Sequence, residues 1–173
     1  MFRKLPCVMP CSGKLIEMNS LRAVARLPDC VLGLRQTPDG VIEEIVFMPP
    51  ESPLETLSNL IAESFRRQLE DYLRDPAHLF DLPLMPRGTP FQQRVWHSIR
   101  SIPTGKILYY GDIATLLGSV PRAVGQACGA NPFPLVTPCH RVLGKSGLGG
   151  FAHATDGWLL DTKRWLLQHE GAL

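Results

Sequence analysis

The sequence predicts a two-lobed α/β protein: a small antiparallel sheet with one helix, followed by a mostly helical lobe. Three observations lead there. Short apolar stretches separated by Pro-Asp and Thr-Pro-Asp-Gly turn signals fill residues 20–55, helix-start and helix-stop signals recur beyond residue 88, and a Pro-rich stretch at 78–87 divides the two. The charge changes sign at the same place. Residues 1–86 hold nine Lys/Arg against twelve Asp/Glu and residues 87–173 nine against four, so the halves carry −3 and +5. A basic half suits a nucleic-acid-facing module, because phosphates attract such a surface, although an excess of this size also occurs on ordinary solvated faces.

With 173 residues, 45% of them hydrophobic and 20% charged, the chain can bury a packed core, and the composition excludes disordered, collagen-like and disulfide-dense classes. No apolar run approaches the roughly 20 residues of a membrane-spanning helix. Arg3 and Lys4 precede a Pro-broken stretch that lacks the apolar segment of a secretory signal. The expected compartment is therefore the cytoplasm, where thiols stay reduced, and five cysteines, an odd number, leave at least one unpaired. Cys7, Cys11 and Cys30, with His78, are conceivable metal ligands, but their spacing matches no strong zinc pattern; ordinary thiols, and no metal, are the default.

In chain order, residues 1–19 show no periodicity and read as a loosely ordered extension. Leu21 to Ala25, Cys30 to Arg35 and Val41 to Met48 read as three strands, the last two forming a hairpin at Pro38 to Gly40. Ser52-Pro53-Leu54-Glu55 has the form of a capping box with Pro at the first helical position, opening a helix to about Arg74. Leu57, Leu60, Ile61, Phe65, Leu69, Tyr72 and Leu73 then share a stripe aimed at the sheet, and Asp75-Pro76 stops the helix. His78 to Arg87 reads as a linker between a lobe at 20–86 and a lobe at 87–173.

Thr89-Pro90-Phe91-Gln92 is a second capping box, whose helix has Phe91, Val95, Trp96 and Ile99 on its apolar face and ends at Ile102-Pro103-Thr104-Gly105. Two short helices follow, Gly111 to Leu117 closed by Gly118 and Pro121 to Cys128 closed by Gly129. Such a pair outlines either a helix-turn-helix, whose second helix enters a DNA groove, or an αα-hairpin filling a core. Phe133 to Val136 reads as a short strand running into Thr137-Pro138-Cys139-His140-Arg141-Val142. A Gly-rich loop, Gly144 to Gly150, precedes a last helix from about Asp161 to His169 with Trp165 and Leu166 inward.

Pro138-Cys139-His140-Arg141 is the sharpest chemical feature. A thiol is a weak nucleophile at its free pKa of about 8.5 and is activated by an imidazole or cation that stabilises the thiolate. Neighbours on an extended strand point to opposite faces, so a sharp turn at Pro138 is needed for His140 to reach Cys139, directly or through a water. If His140 takes the proton, a carboxylate behind it holds its tautomer; Glu170 is the candidate. On spacing alone a structural role for the Cys-His pair remains open.

Pro138-Cys139-His140-Arg141-Val142, preceded by Arg122-Ala123-Val124-Gly125 and Asn131-Pro132, resembles the active-site region of the O6-alkylguanine-DNA alkyltransferases, the methylated-DNA-protein-cysteine methyltransferases. The resemblance extends through Gly88-Thr89-Pro90-Phe91-Gln92, Val95-Trp96, Ile102-Pro103-Thr104-Gly105, Tyr110 and the stretch from Lys163 to Gly171, covering residues 88–171. It implies a ribonuclease-H-like N-terminal lobe, a winged-helix-like DNA-binding lobe, and repair in which Cys139 takes an alkyl group from O6 of guanine, or O4 of thymine, once and irreversibly. No cofactor is implied. The implied partner is double-stranded DNA carrying O6-alkylguanine, bound through the minor groove by a monomer without membrane attachment, in a bacterial cytoplasm at the nucleoid or in a eukaryotic nucleus.

The resemblance also assigns roles by position. Arg122, with Ala123 and Gly125 on the recognition helix, fills the stack left by a flipped base; Tyr110 helps rotate the nucleotide and can hydrogen-bond or protonate the leaving guanine. Asn131 braces the active-site turn, His140 and Glu170 form the activating relay, and Arg141 supports the fold. Pro134, Val142, Phe151 and Ala152 match the pocket around the flipped base, and each reads equally as plain core.

The chain departs from the pattern between Phe151 and Lys163, where it is several residues longer and His153-Ala154 replaces a Gly-Gly pair. Ala152 stands where some members have a serine, leaving only a backbone N–H to face the O6 atom. Such a rim can alter which alkyl groups fit. The competing readings are a lesion binder that flips alkylguanine without repairing it, against which Cys139 argues, an alkylation-sensing DNA-binding regulator, and a cysteine hydrolase.

Overall fold

The computed structural model describes residues 21–55 and 59–173. Residues 1–19, with Cys7 and Cys11, and Leu57 lie outside them. The first lobe is the expected antiparallel sheet, β1 (Arg22–Leu27), β2 (Cys30–Gln36) and β3 (Ile42–Met48), in the spatial order β1-β2-β3. Gly40, at φ +86°, turns the β2–β3 hairpin, and its N–H donates to Thr37 O over 3.0 Å. Strand β2 is buried on both faces. Cys30, Leu32 and Leu34 enter the main core, while Val31 joins Leu21, Ala23, Val46 and Met48 in a small second cluster on the other side. Gly33 lets these side chains pack close to the strand, since a Cβ would stand 2.7 Å from Met48 Sδ.

The helix of this lobe starts later than the sequence predicts. Helix α1 spans Leu60–Arg74, and its N-cap is Asn59, whose side chain accepts from Ala62 N at 2.8 Å. The box at Ser52–Glu55 does not form. Glu55 N–H donates instead to Ala23 O, and Arg22 pairs with the Glu55 carboxylate at 2.8 Å, so the segment runs beside β1. The inward stripe is Ala62, Phe65, Gln68, Leu69 and Tyr72; Leu60 and Leu73 face solvent.

The 78–87 stretch is more than a linker. Ile42 N–H donates to Pro83 O over 2.7 Å and Met85 N–H to Ile42 O over 2.9 Å, so residues 83–85 pair with the start of β3. The Gln68 side chain holds the same stretch from α1 through both bonds to Asp81, each 2.7 Å. Proline lacks an N–H but its carbonyl still accepts, which is what this pairing uses.

The second lobe consists of α2 (Pro90–Arg100), β4 (Leu108–Tyr109), α3 (Tyr110–Leu117), α4 (Pro121–Gly129), β5 (Val142–Leu143) and α5 (Trp158–His169). The Thr89 capping box forms in both directions, with Gln92 N donating to Thr89 Oγ1 and Thr89 N to Gln92 Oε1. Helix α3 ends on Gly118 in the left-handed conformation, φ +62°, which glycine adopts without strain. Strands β4 and β5 pair in parallel. Phe133 to Val136 is not a strand: it is a buried turn, with Leu135 at φ +72° and Thr137 N bonded to Phe133 O. Apolar residues line it because the turn lies in the core.

Across the lobes, Ile45 N–H donates to Pro132 O over 2.9 Å, and the rings of Phe47 and Phe151 lie 5.1 Å apart. One apolar cluster runs from Val24 through Phe65 and Ile99 to Leu166. Among the described residues no helix is long and apolar enough to cross a membrane.

Candidate functional site

Cys139 opens a single 3-10 turn, Cys139–Arg141, directly after Pro138. Its N–H bonds back to Thr137 O at 2.8 Å. Asn131 ties this loop together. Its Nδ2 donates to Thr137 O at 2.8 Å and toward Cys139 Sγ at 3.4 Å, while its Oδ1 accepts from Phe133 N at 3.0 Å. A buried amide with donors and acceptor all engaged fixes the loop far better than chain stiffness alone.

Glu170, the C-cap residue of α5, is the hub behind the thiol. Its carboxylate accepts from His140 Nε2 at 2.8 Å, from Arg141 Nε and Nη2 at 2.7 and 2.9 Å, and from the hydroxyl of Tyr72 at 2.9 Å. Burial by itself raises a carboxyl, but the hydrogen bonds and charges of His140 and Arg141 bring Glu170 down to about 2. The carboxylate therefore fixes the proton of His140 on Nε2 and leaves Nδ1 as the acceptor. Burial pushes His140 below the ordinary imidazole value against the pull of Glu170. Burial likewise pushes the Cys139 thiol up, opposed by the Asn131 bond and the charge of Lys163. Both the thiol and the imidazole are thereby held toward their neutral forms. Arg141 also donates to Ile102 O and Thr104 Oγ1, so it anchors the α2 exit as well as Glu170.

A cavity of about 320 Å³ opens over Cys139. Tyr110, Arg122, Gly125, Cys128, Phe151 and Ala152 are among the residues lining it. Tyr110 donates from its hydroxyl to Gly150 O at 3.1 Å, and it crosses Gly149 so closely that a Cβ there would meet Cε2 at 2.8 Å. Arg122 stands exposed on the first turn of α4. Ala123 lines a neighbouring cavity instead. Val142 and Pro134 are buried but do not line the cavity over the thiol. Ala152 sits on its wall at φ +48°.

Two residues of this site escaped the sequence reading. Lys163 is fully buried, and its Nζ donates to Val142 O, Leu148 O and Gly150 O at 2.8, 2.6 and 3.0 Å, holding together the loop that carries Phe151. Burial brings it down to about 8, against the opposing pull of the Cys139 and Cys128 thiols. Its signal was present: it occupies the stripe of Thr162, Leu166 and Leu167 on α5, where a lysine is out of place unless capped by acceptors. Cys128 is a second buried thiol on the same cavity, itself raised by burial. Cys30 lies in the core, raised by burial to about 12, and no cluster of three metal-ligating side chains occurs among the described residues.

The DNA-binding-domain profile of the 6-O-methylguanine DNA methyltransferase family matches residues 90–172. The methylated-DNA–protein-cysteine methyltransferase of Salmonella typhimurium is 44% identical over 110 residues, which is 61% of this chain and 61% of that protein's own length. The enzyme of the same name from Methanosarcina acetivorans is 43% identical over 61% of this chain and 67% of its own. The solved Mycobacterium tuberculosis O6-methylguanine methyltransferase superposes with a TM-score of 0.69 at 34% identity, covering 88% of this chain and 92% of that one. Its complex with DNA superposes with a TM-score of 0.67.

Proposed function

The chain belongs to the methylated-DNA–protein-cysteine methyltransferase family, and from that premise we propose that it repairs DNA by moving an alkyl group from O6 of guanine, or O4 of thymine, onto Cys139. The observation that carries this reading is a buried thiol at a cavity, held by Asn131 and backed by the His140–Glu170 pair. The Cys139 proton passes to His140 Nδ1, directly or over a bridging water, and Glu170 stabilises the imidazolium. The thiolate forms a bond to the alkyl carbon as the carbon–O6 bond breaks; the departing guanine takes a proton at N1 through the Tyr110 hydroxyl, which regains one from solvent, while the His140 imidazolium returns the thiol's proton to solvent. The products are an S-alkylcysteine and intact guanine. A thioether is a poor leaving group, so each molecule acts once, and the displacement itself uses no cofactor.

A stacked base cannot present O6 to a thiol inside the protein, so the nucleotide must flip out, at a cost of a few kcal/mol. Arg122, exposed at the start of α4, takes its place in the stack, with Ala123 and Gly125 on the same helix against the minor groove. On this reading residues 20–86 form a ribonuclease-H-like lobe and 87–173 a winged-helix-like DNA-binding lobe, working as a monomer where the DNA is, at the nucleoid or in a nucleus. Pro134 and Val142 support the pocket from within the core, while Phe151 and Ala152 face the base.

The test is intact-protein mass after incubation with a duplex carrying one O6-methylguanine, followed by peptide mapping. One adduct of about 14 Da on Cys139, saturating at one per molecule and persisting, is expected. Tight lesion-selective binding without an adduct would replace this reading by that of a lesion binder.

A further inference from the structure

Glu170 takes one of its hydrogen bonds from outside the lobe that carries Cys139. Its Oε1 accepts from His140 Nε2 at 2.8 Å, from Arg141 Nη2 at 2.9 Å and from the hydroxyl of Tyr72, on α1, at 2.9 Å, whereas Oε2 accepts from Arg141 Nε at 2.7 Å. The Arg141 fork already fixes the plane of the carboxylate and balances its charge. What the phenol adds is a donor on the same oxygen that holds His140. Such a donor draws electron density from the oxygen and weakens its pull on the other protons bound there.

Tyr72 is itself held at both ends. Its carbonyl lies 3.0 Å from His169 Nε2, its ring meets the His169 ring edge-on at 5.1 Å and packs on Phe80 at 5.7 Å, and the whole residue is buried. Burial and the Glu170 charge raise the phenol far above its ordinary value, so it stays a neutral donor at physiological pH. The other ionisable groups around the pair are Cys139 and Arg141 on the 3-10 turn and Lys163 and His169 on α5. Arg141 and Lys163 both oppose a charge on His140.

We propose that Tyr72 is a positioning residue of the transfer reaction: from the first lobe, through the shared Oε1 of Glu170, it sets how strongly His140 holds a proton and so when Cys139 can give one up. Without the hydroxyl, Oε1 pulls harder on the Nε2 proton and the imidazolium is better stabilised. His140 is then protonated, and unable to accept from Cys139, up to a higher pH. This rests on the alkyl-transfer reading, so one of the two readouts observes His140 without any reaction.

Wild type, Tyr72→Phe and a protein carrying difluorotyrosine at position 72 alone, a stronger donor of nearly the same shape, are compared. Nuclear magnetic resonance reads the His140 Nε2 proton at neutral pH, and mass with peptide mapping follows Cys139 alkylation by free O6-benzylguanine from about pH 5 to about pH 8. In Tyr72→Phe the His140 proton is expected to move downfield, as its bond to Glu170 strengthens, and the acid limb of the rate profile to move up by roughly half a pH unit. With difluorotyrosine both should move the opposite way. A tyrosine that merely braces the fold would lower the rate equally at every pH and leave the limb where it is. Profiles of the same shape in all three proteins would overturn the proposal, and so would a limb displaced in the same direction by both replacements. A His140 proton ordered along the series, with no alkylation of Cys139 even in wild type, would keep the coupling of Tyr72 to His140 and remove the alkyl-transfer reading instead.

Discussion

Replacing Glu170 by Gln removes a charge while keeping the shape, and the consequence for stability can be worked from the site. The Glu170 carboxyl is held at about 2 against an ordinary 4.5, by His140 and Arg141 and in spite of its burial. At about 1.36 kcal/mol per unit, ionised Glu170 stabilises the folded state by ~3 kcal/mol at neutral pH. Because the folded pKa lies below the unfolded one, this contribution is complete above about pH 4.5 and is lost as the pH falls through about 2. At pH 3 a little under half of it remains. Glu170→Gln resembles the protonated acid at every pH, so the gap between wild type and variant should be ~3 kcal/mol at pH 7, roughly half that at pH 3, and close to zero below pH 2. Urea unfolding followed by tryptophan fluorescence at several pH values measures it. A gap under about 1 kcal/mol at pH 7, or one that does not narrow on acidification, would refute the argument that Glu170 is held ionised by its two cationic and imidazole partners.

Cys139→Ala should abolish transfer while leaving lesion-duplex affinity within about twofold in a gel-shift titration, since the thiol lies below the surface that α4 presents. Arg122→Ala should slow transfer from duplex DNA by about tenfold or more yet barely change the reaction with free O6-benzylguanine, because only the duplex substrate requires flipping; equal losses on both would undo that division. Lys163→Met should lower stability by roughly 3 kcal/mol in thermal or urea unfolding, because three carbonyls lose their donor in a buried place, and should slow Cys139 alkylation by releasing the Phe151 loop.

Much of the architecture was legible because local signals and tertiary demands agreed. The Thr89 box, the Gly118 stop and the three strands all coincide with what their residues prefer locally. The Ser52 box failed although its residue types were right, because the Glu55 N–H was needed by Ala23 O and Asn59 offered a better cap three residues before Ala62. Leu135 shows a different limit: four apolar residues in a row signal burial, not conformation, and a buried turn reads the same as a buried strand. At the site, Cys139, His140, Asn131 and Glu170 were recognisable by type and by family pattern. The Tyr72 hydroxyl on Glu170 was not, since a tyrosine in an apolar helical stripe carries no sign of what its oxygen will meet. Lys163 signalled its burial by its place on the apolar stripe of α5, but not its partners, because these are backbone carbonyls of a loop without side-chain signature.

The bond from Ile45 to Pro132 joins the sheet directly to the residue after Asn131, and residues 83–85 lie along β3 as if they were part of it. Covalent continuity through the Pro-rich stretch is therefore not what keeps the halves together. A protease that nicks the exposed chain near Arg87 or Gly88 should yield two fragments that remain associated through Phe47 against Phe151 and Tyr72 against Glu170. Either fragment prepared alone would expose half of a shared core. The molecule is thus organised for fragment complementation, two pieces of chain completing one folding unit: the piece that carries Cys139 holds Glu170 through His140 and Arg141, and takes the Tyr72 hydroxyl on that carboxylate from the other.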